Sequence, residues 1–281
     1  NTAVGFNAMK VNTTGTRNIA IGPYAYDASD TESDNIAIGY EAMHTNTAGG
    51  TQCVALGNYA LDANTSGDRN LAFGAHALGG MTNGNNNIGI GHGAGTHSSV
   101  LATGERNILI GSLADTTSAD SVNQTVIGYD VIGNADNSFV FGHTGTDSAI
   151  AFGATSISAP SDIRLKENIS DDVAGLSFIN DLRPVTYNWR KEKDIPEEMR
   201  THVAGSEKRY NNDKLNHGFI AQEVKEVIDN HSEIKDGFNM WLEDDFDGRQ
   251  RIAEGALVPM LVKSIQELSA QNADLLARIE T

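Results

Sequence analysis

The sequence predicts a solenoid of short β-strands over residues 1–158, joined to an α+β unit over 161–281 that ends in a long helix. Three observations carry that expectation. A five-residue phrase recurs about every 17 residues through the first part. Glycine is concentrated there, with 23 of the 29 glycines in residues 1–160. The last stretch, about 257–281, repeats apolar side chains at alternating steps of three and four.

The phrase is Asn18-Ile19-Ala20-Ile21-Gly22, repeated at 35–39, 70–74, 87–91 and 107–111, with Cys53 in the asparagine slot at 53–57. Its closing glycines fall at 5, 22, 39, 57, 74, 91, 111, 128, 142 and 153. Within each phrase the two large apolar residues point to one face of a strand and the alanine between them to the other. Glycine then permits a tight bend or a close backbone approach. Alanine recurs three residues later, at 25, 42, 60 and 77, and polar stretches such as 45–51 and 64–68 read as loops. About 17 residues cannot form a domain alone, so stacked coils must bury one another. Two small faces per coil suggest that the slim coil also packs against copies of itself.

Charge divides the chain at the same place. Residues 1–160 hold 4 basic and 13 acidic residues, and 161–281 hold 16 and 24. The net charge of −17 argues against a nucleic-acid or anionic-membrane partner, since both need basic surface. One cysteine excludes a disulfide framework and a cysteine-rich zinc site. No apolar run approaches the roughly 20 residues of a membrane span. The chain opens at Asn1 without methionine, as a fragment of a longer protein would.

The Asn-x-Ala-x-Gly phrase resembles the YadA-like head repeats of trimeric autotransporter adhesins, also found in phage tail fibres. The resemblance covers roughly residues 1–153. It implies a left-handed parallel β-roll that packs three copies into a trimer, and it names no ligand. In that frame other motifs dissolve. The alternating glycines 89–95 sit on the repeat phase and are not read as a nucleotide loop. His76, His92, His97 and His143 lie on turns without metal-like spacing. Cys53 reads as a packed small residue rather than a nucleophile.

The second part has scaffold-like segments. Helical spacing joins Val173, Leu176, Ile179 and Leu182; 185–189 alternates like a strand; 222–228 fits a short helix with Val224 and Ile228 on one face. Glu243, Asp245, Asp247, Gly248 and Glu254 mimic a calcium loop, but no helix precedes them, and a hairpin through 238–254 is the preferred reading. No metal or cofactor is expected. Val258, Leu261, Ile265, Leu268, Asn272, Leu275 and Ile279 form a heptad seam. Such a seam builds a coiled coil in which Asn272 sets register and oligomer state; the alternative is a helix lying on its own domain.

Four ordered blocks carry a second resemblance: Ser161-Asp162-Ile163-Arg164-Leu165-Lys166-Glu167-Asn168-Ile169, then 182–189, 218–224 and 257–268. Together they look like the C-terminal intramolecular chaperone domain of endosialidase-type phage tailspikes and tail fibres, across 161–281. The resemblance implies a domain that helps the upstream fibre trimerise and then cuts itself off at the Pro160–Ser161 bond. Ser161 would be the nucleophile and Lys166 its general base. A serine hydroxyl needs a base to take its proton, and lysine serves only when burial or a cationic neighbour depresses its pKa from about 10.4. Arg164 would be such a neighbour, or would orient a backbone carbonyl; Asp162 should point elsewhere. Gln222 and Glu223 would either orient the dyad or cap and stabilise their helix. His217 reads as surface or local hydrogen bonding rather than a proton carrier.

The expectation is therefore a homotrimeric tail fibre or appendage of a virion, made in the host cytoplasm. Its partners would be itself, other tail components and a host surface receptor or glycan. Rival readings are a trimeric adhesin with an inert registration module, a carbohydrate-active tailspike and a membrane-tethered transcription factor. The sparse loop acids of 1–160 speak against the tailspike enzyme. The lack of a basic region speaks against the transcription factor.

Overall fold

A computed structural model describes residues 1–46, 49–154, 156–234, 240–244 and 248–280. The positions Phe238, Asp245 and Asp247 of the hairpin and calcium readings lie outside the described residues. The chain forms two compact units, Asn1–Lys166 and Glu167–Thr281.

In the first unit each phrase forms a three-residue strand: β1 (Thr2–Val4), β2 (Ile19–Ile21), β3 (Ile36–Ile38), β4 (Val54–Leu56), β5 (Leu71–Phe73), β6 (Ile88–Ile90) and β7 (Ile108–Ile110). Three longer strands follow: β8 (Gln124–Tyr129), β9 (Ser138–His143) and β10 (Ser148–Ala151). The ten form one sheet in sequence order, parallel from β1 to β9, with β10 turned back antiparallel on β9. This is a parallel β-solenoid, as the repeats predict. Register keeps phrase on phrase: Ala20 faces Ala37, Ala37 faces Ala55 and Ala55 faces Ala72.

The interior of the coil belongs to the small residue. Ala20, Ala37, Ala55 and Ala72 have no exposed surface. The flanking large residues are half-buried or exposed, with Val4 at 57% and Phe73 at 56%. The opposite wall is not regular strand. It carries Ala25, Ala42, Ala60, Ala77 and Ala94; the first four are followed by a core-filling residue, Tyr26, Met43, Leu61 and Leu78, and the last by Gly95. The four non-glycine residues have φ between 47° and 55°, and their amides donate to the next coil's alanine carbonyl at 2.8–3.1 Å. Where the pattern thins, neighbours compensate. A Cβ on Gly89 would lie 2.7 Å from Leu78 Cγ, and one on Gly95 3.1 Å from Leu109 Cδ1. The strand-ending glycines are required twice over: Gly39 has φ +140°, and a Cβ there would lie 2.5 Å from the Gly57 carbonyl.

The phrase asparagines form a buried ladder. The Nδ2 of Asn18, Asn70, Asn87 and Asn107 donates to a loop carbonyl of the following coil, of Glu32, Gly84, Gly104 and Ser121, at 2.7–2.8 Å. Their Oδ1 accepts the amide of the next phrase, as in Asn35, Asn87, Asn107 and Gln124, at 2.9 Å. Each of these side chains is thereby satisfied without leaving the repeat. Cys53 is a rung too. Its thiol donates to Gly67 O at 3.2 Å and accepts the Asn70 amide at 3.4 Å.

The second unit is α+β. Its elements are α1 (Leu176–Asp181), β11 (Val185–Tyr187), β12 (Asn216–Gly218), α2 (Ala221–Asn230), β13 (Trp241–Glu243), β14 (Gln250–Ile252) and α3 (Val258–Ile279). β11 pairs antiparallel with β12, and β13 with β14. Ala174, Phe178, Leu182, Val224, Ile228, Ile234, Met240, Leu257 and Met260 form its core. The helix expected from Val173 is shorter than its spacing suggests. It starts after Gly175, its first amide is capped by Glu267 of α3 at 2.8 Å, and Val173 is exposed. Tertiary capping, not apolar spacing, decides where α1 begins.

The last helix lies on its own unit with one face and leaves the heptad positions exposed on another. Leu257, Met260 and Ser264 are buried on the unit and Glu267 caps α1. One position further round, Val258, Leu261, Ile265, Leu268, Leu275 and Ile279 are exposed, Ile265 by 63%. Asn272 is exposed with them.

Candidate functional site

Ser158 is the last residue held by the sheet before the Pro160–Ser161 bond. Its backbone exchanges two hydrogen bonds with Ala149, at 2.7 and 2.8 Å. The chain is exposed from 156 to 173. A single 3-10 turn, Ile163–Leu165, interrupts this stretch, flanked by extended residues Asp162 (ψ 137°) and Lys166 (ψ 141°). The turn reverses the chain enough to put Lys166 Nζ 2.7 Å from Ser161 Oγ. The two residues are five apart, so local geometry alone assembles the pair.

Arg164 is not a free cation beside Lys166. Its Nε donates to both Asp162 carboxylate oxygens at 3.0 and 3.1 Å, and its Nη2 to Oδ2 at 2.6 Å. The guanidinium holds the Asp162 carboxyl below its ordinary range, and the carboxylate raises Arg164 in return. The pair cancels its own charge next to the lysine.

Gln222 and Glu223 belong to the other unit, in the first turn of α2. Glu223 is bound by Arg183, through Nε at 2.9 Å and through Nη2, which pulls its carboxyl down. That engagement favours the scaffold reading for Glu223. His217 stands on β12 opposite Thr186.

In the solenoid, Cys53 and the coil histidines His76 and His92 have structural roles. Burial pushes the Cys53 thiol up to about 11, the opposite of an activated nucleophile. His76 and His92 are not isolated loop residues. They close a ring ladder running Phe6, Tyr24, Tyr40, Tyr59, His76, His92, one ring per coil, with centroids 4.9–6.1 Å apart. The signal for this was present, since each ring stands one or two places after a phrase glycine. Among the described residues no cluster of His, Cys, Asp or Glu could hold a metal ion. No helix among them is long and apolar enough to cross a membrane.

A family model described as chaperone of endosialidase, Peptidase_S74, matches residues 161–233. It opens on Ser161 itself. Comparison with curated proteins and with solved structures gives no match. The matched family is one of self-cleaving intramolecular chaperone domains that act in trimer assembly. The chain thus joins a β-solenoid to a chaperone-type module, a combination that fits a tail-fibre-like protein. The match supports a folding and trimerisation role for that module.

Proposed function

We propose that this chain is part of a homotrimeric phage tail fibre or appendage, with a β-roll shaft or head over 1–158 and a self-releasing chaperone over 161–281. The observation that carries the reading is the 2.7 Å contact between Ser161 and Lys166 at the first residue of the family match. In this reading the α3 seam and the chaperone body hold three chains in register. That lowers the entropic cost of bringing non-local β-structure together. The outward row of Ile, Val and Leu along β1–β7 then meets the same row on two other copies.

Cleavage follows as a single turnover. Neutral Lys166 takes the Ser161 hydroxyl proton, and Oγ attacks the Pro160 carbonyl carbon. The C–N bond to Ser161 breaks, its nitrogen receiving the proton from Lys166, and an ester remains between Pro160 and Ser161 Oγ. Water hydrolyses the ester, leaving a Pro160 carboxylate and a free Ser161. A lysine amine in water keeps its proton at neutral pH, so the exposed turn is competent only once covered. Ile163 and Leu165, about 70% exposed on the same turn, supply apolar surface for that covering. After release the fibre is kinetically trapped, because unfolding lacks the element that lowered the assembly barrier. The virion, tail partners and a host receptor or glycan belong to this reading.

Mass measurement after expression tests it. The wild type should yield 1–160 and 161–281, and Ser161→Ala and Lys166→Ala should stay intact. An intact wild-type trimer would instead favour an adhesin with an inert registration module.

A further inference from the structure

The turn between Ser161 and Lys166 is too short to be held by its own backbone. It contributes two hydrogen bonds, Leu165 N to Asp162 O at 3.0 Å and Lys166 N to Ile163 O at 3.1 Å. Every residue in it is exposed, so no apolar packing within the chain fixes it. What remains is Asp162. Its Oδ1 accepts the Arg164 amide at 2.9 Å, the geometry by which Asp or Asn caps the first turn of a helix. The same carboxylate accepts from the Arg164 guanidinium with both oxygens, Oδ1 from Nε and Oδ2 from Nη2. Two functions therefore meet in one side chain lying between nucleophile and base in sequence.

We propose that Asp162 is the positioning residue of the Ser161–Lys166 pair: it caps the turn that sets Nζ against Oγ and holds Arg164 folded back as a paired ion. It touches no reacting atom and acts only through the turn. The inference rests on the cleavage reading above. It adds to that reading that the dyad's spacing is set by a cap rather than by the folded bodies on either side.

The cap separates from the charge by substitution. Asn retains an oxygen that accepts the Arg164 amide, whereas Ala retains none. In the full chain under native assembly, Asp162→Ala should release 161–281 about tenfold more slowly, the loss a missing cap of ordinary strength produces. Asp162→Asn should stay within about threefold of the wild type. Hydrogen exchange, read in the uncleavable Ser161→Ala background, provides an independent measure. Adding Asp162→Ala should speed exchange of the Arg164 amide by a similar factor, leave the solenoid amides unmoved, and be rescued by Asp162→Asn. Wild-type rates and unchanged exchange in Asp162→Ala would overturn the proposal, as would an Asp162→Asn variant as slow as Asp162→Ala. If the wild type is never cut, the cleavage reading fails by itself. The exchange experiment then decides whether Asp162 holds the turn.

Discussion

The two units differ in which residues their regular elements turn inward. In the α+β unit the large side chains go inside: Phe178 and Met240 have no exposed surface. Along strands β2 to β5 of the solenoid the smallest go inside, with the alanines sealed and Ile, Leu and Phe turned outward. A coil of about 17 residues has a narrow cross-section, and the second wall already fills it with Tyr26, Met43, Leu61 and Leu78. A large inward residue on a strand needs room made for it on the facing wall, as Gly95 makes for the buried Leu109. The lesson is that an apolar residue's size does not say which way it faces. A thin solenoid leaves large apolar side chains exposed along its sheet, whereas a globular unit consumes them.

The largest effect should come from the stack itself. Gly39→Val meets both a positive φ and a backbone carbonyl, so it should cost about 3 kcal/mol or more. Denaturant unfolding should show this in the solenoid transition and leave the second unit's transition alone. Next come the matched cavities. Phe178→Ala should cost about 3–5 kcal/mol and Leu61→Ala about 2–5 kcal/mol, each in its own unit. An equal response of both transitions to either change would break the picture of two separate cores.

Asn70→Ala sharpens the comparison from the polar side. It leaves the Gly84 carbonyl and the Asn87 amide without partners, about 1–3 kcal/mol of lost stability. By contrast Ile88→Ser, on the outward face, should move the unfolding midpoint of a single chain little while lowering the molecular mass seen in light scattering. A full-sized oligomer with both Ile88→Ser and Ile265→Asp would remove the proposed trimer contacts.

The smallest effect is one of pH, and it separates the units by window. The His231 ring is raised by Glu233, at 2.7 Å, and by Asp181, at 2.9 Å. A raised histidine stabilises the fold below its ordinary value of about 6.5, and the contribution is lost as pH rises through the folded-state value. In the solenoid Asp115 is raised by burial, so its fold is favoured while the carboxyl is protonated. That advantage is lost as pH climbs from about 3.9 to the raised value. Raising pH from 6 to 9 should therefore lower the second unit's melting midpoint more than the solenoid's, and His231→Gln should flatten that dependence.

Much of the candidate site was legible because it is local. Five residues separate Ser161 from Lys166, and the motif order marks the pair. The pairing of Arg164 with Asp162 was not legible, since both a lysine-facing and a carboxylate-facing arginine fit the same spacing. Nor was the engagement of Glu223 by Arg183, forty residues away in sequence. The helix start at Leu176 was hidden because its cap, Glu267, arrives from the other end of the unit.

By itself the sequence determined the repeat phase, the strands, the glycine bends and the heptad seam. Each depends on period and backbone sterics, which neighbouring residues settle among themselves. Only the tertiary structure decided which face of each strand is the interior, how Cys53 joins an asparagine ladder, and that α3 docks one face while presenting the next. Alternation marks two faces as different, but which one is inside depends on the width of the space they enclose, and that space exists only once the coils are stacked.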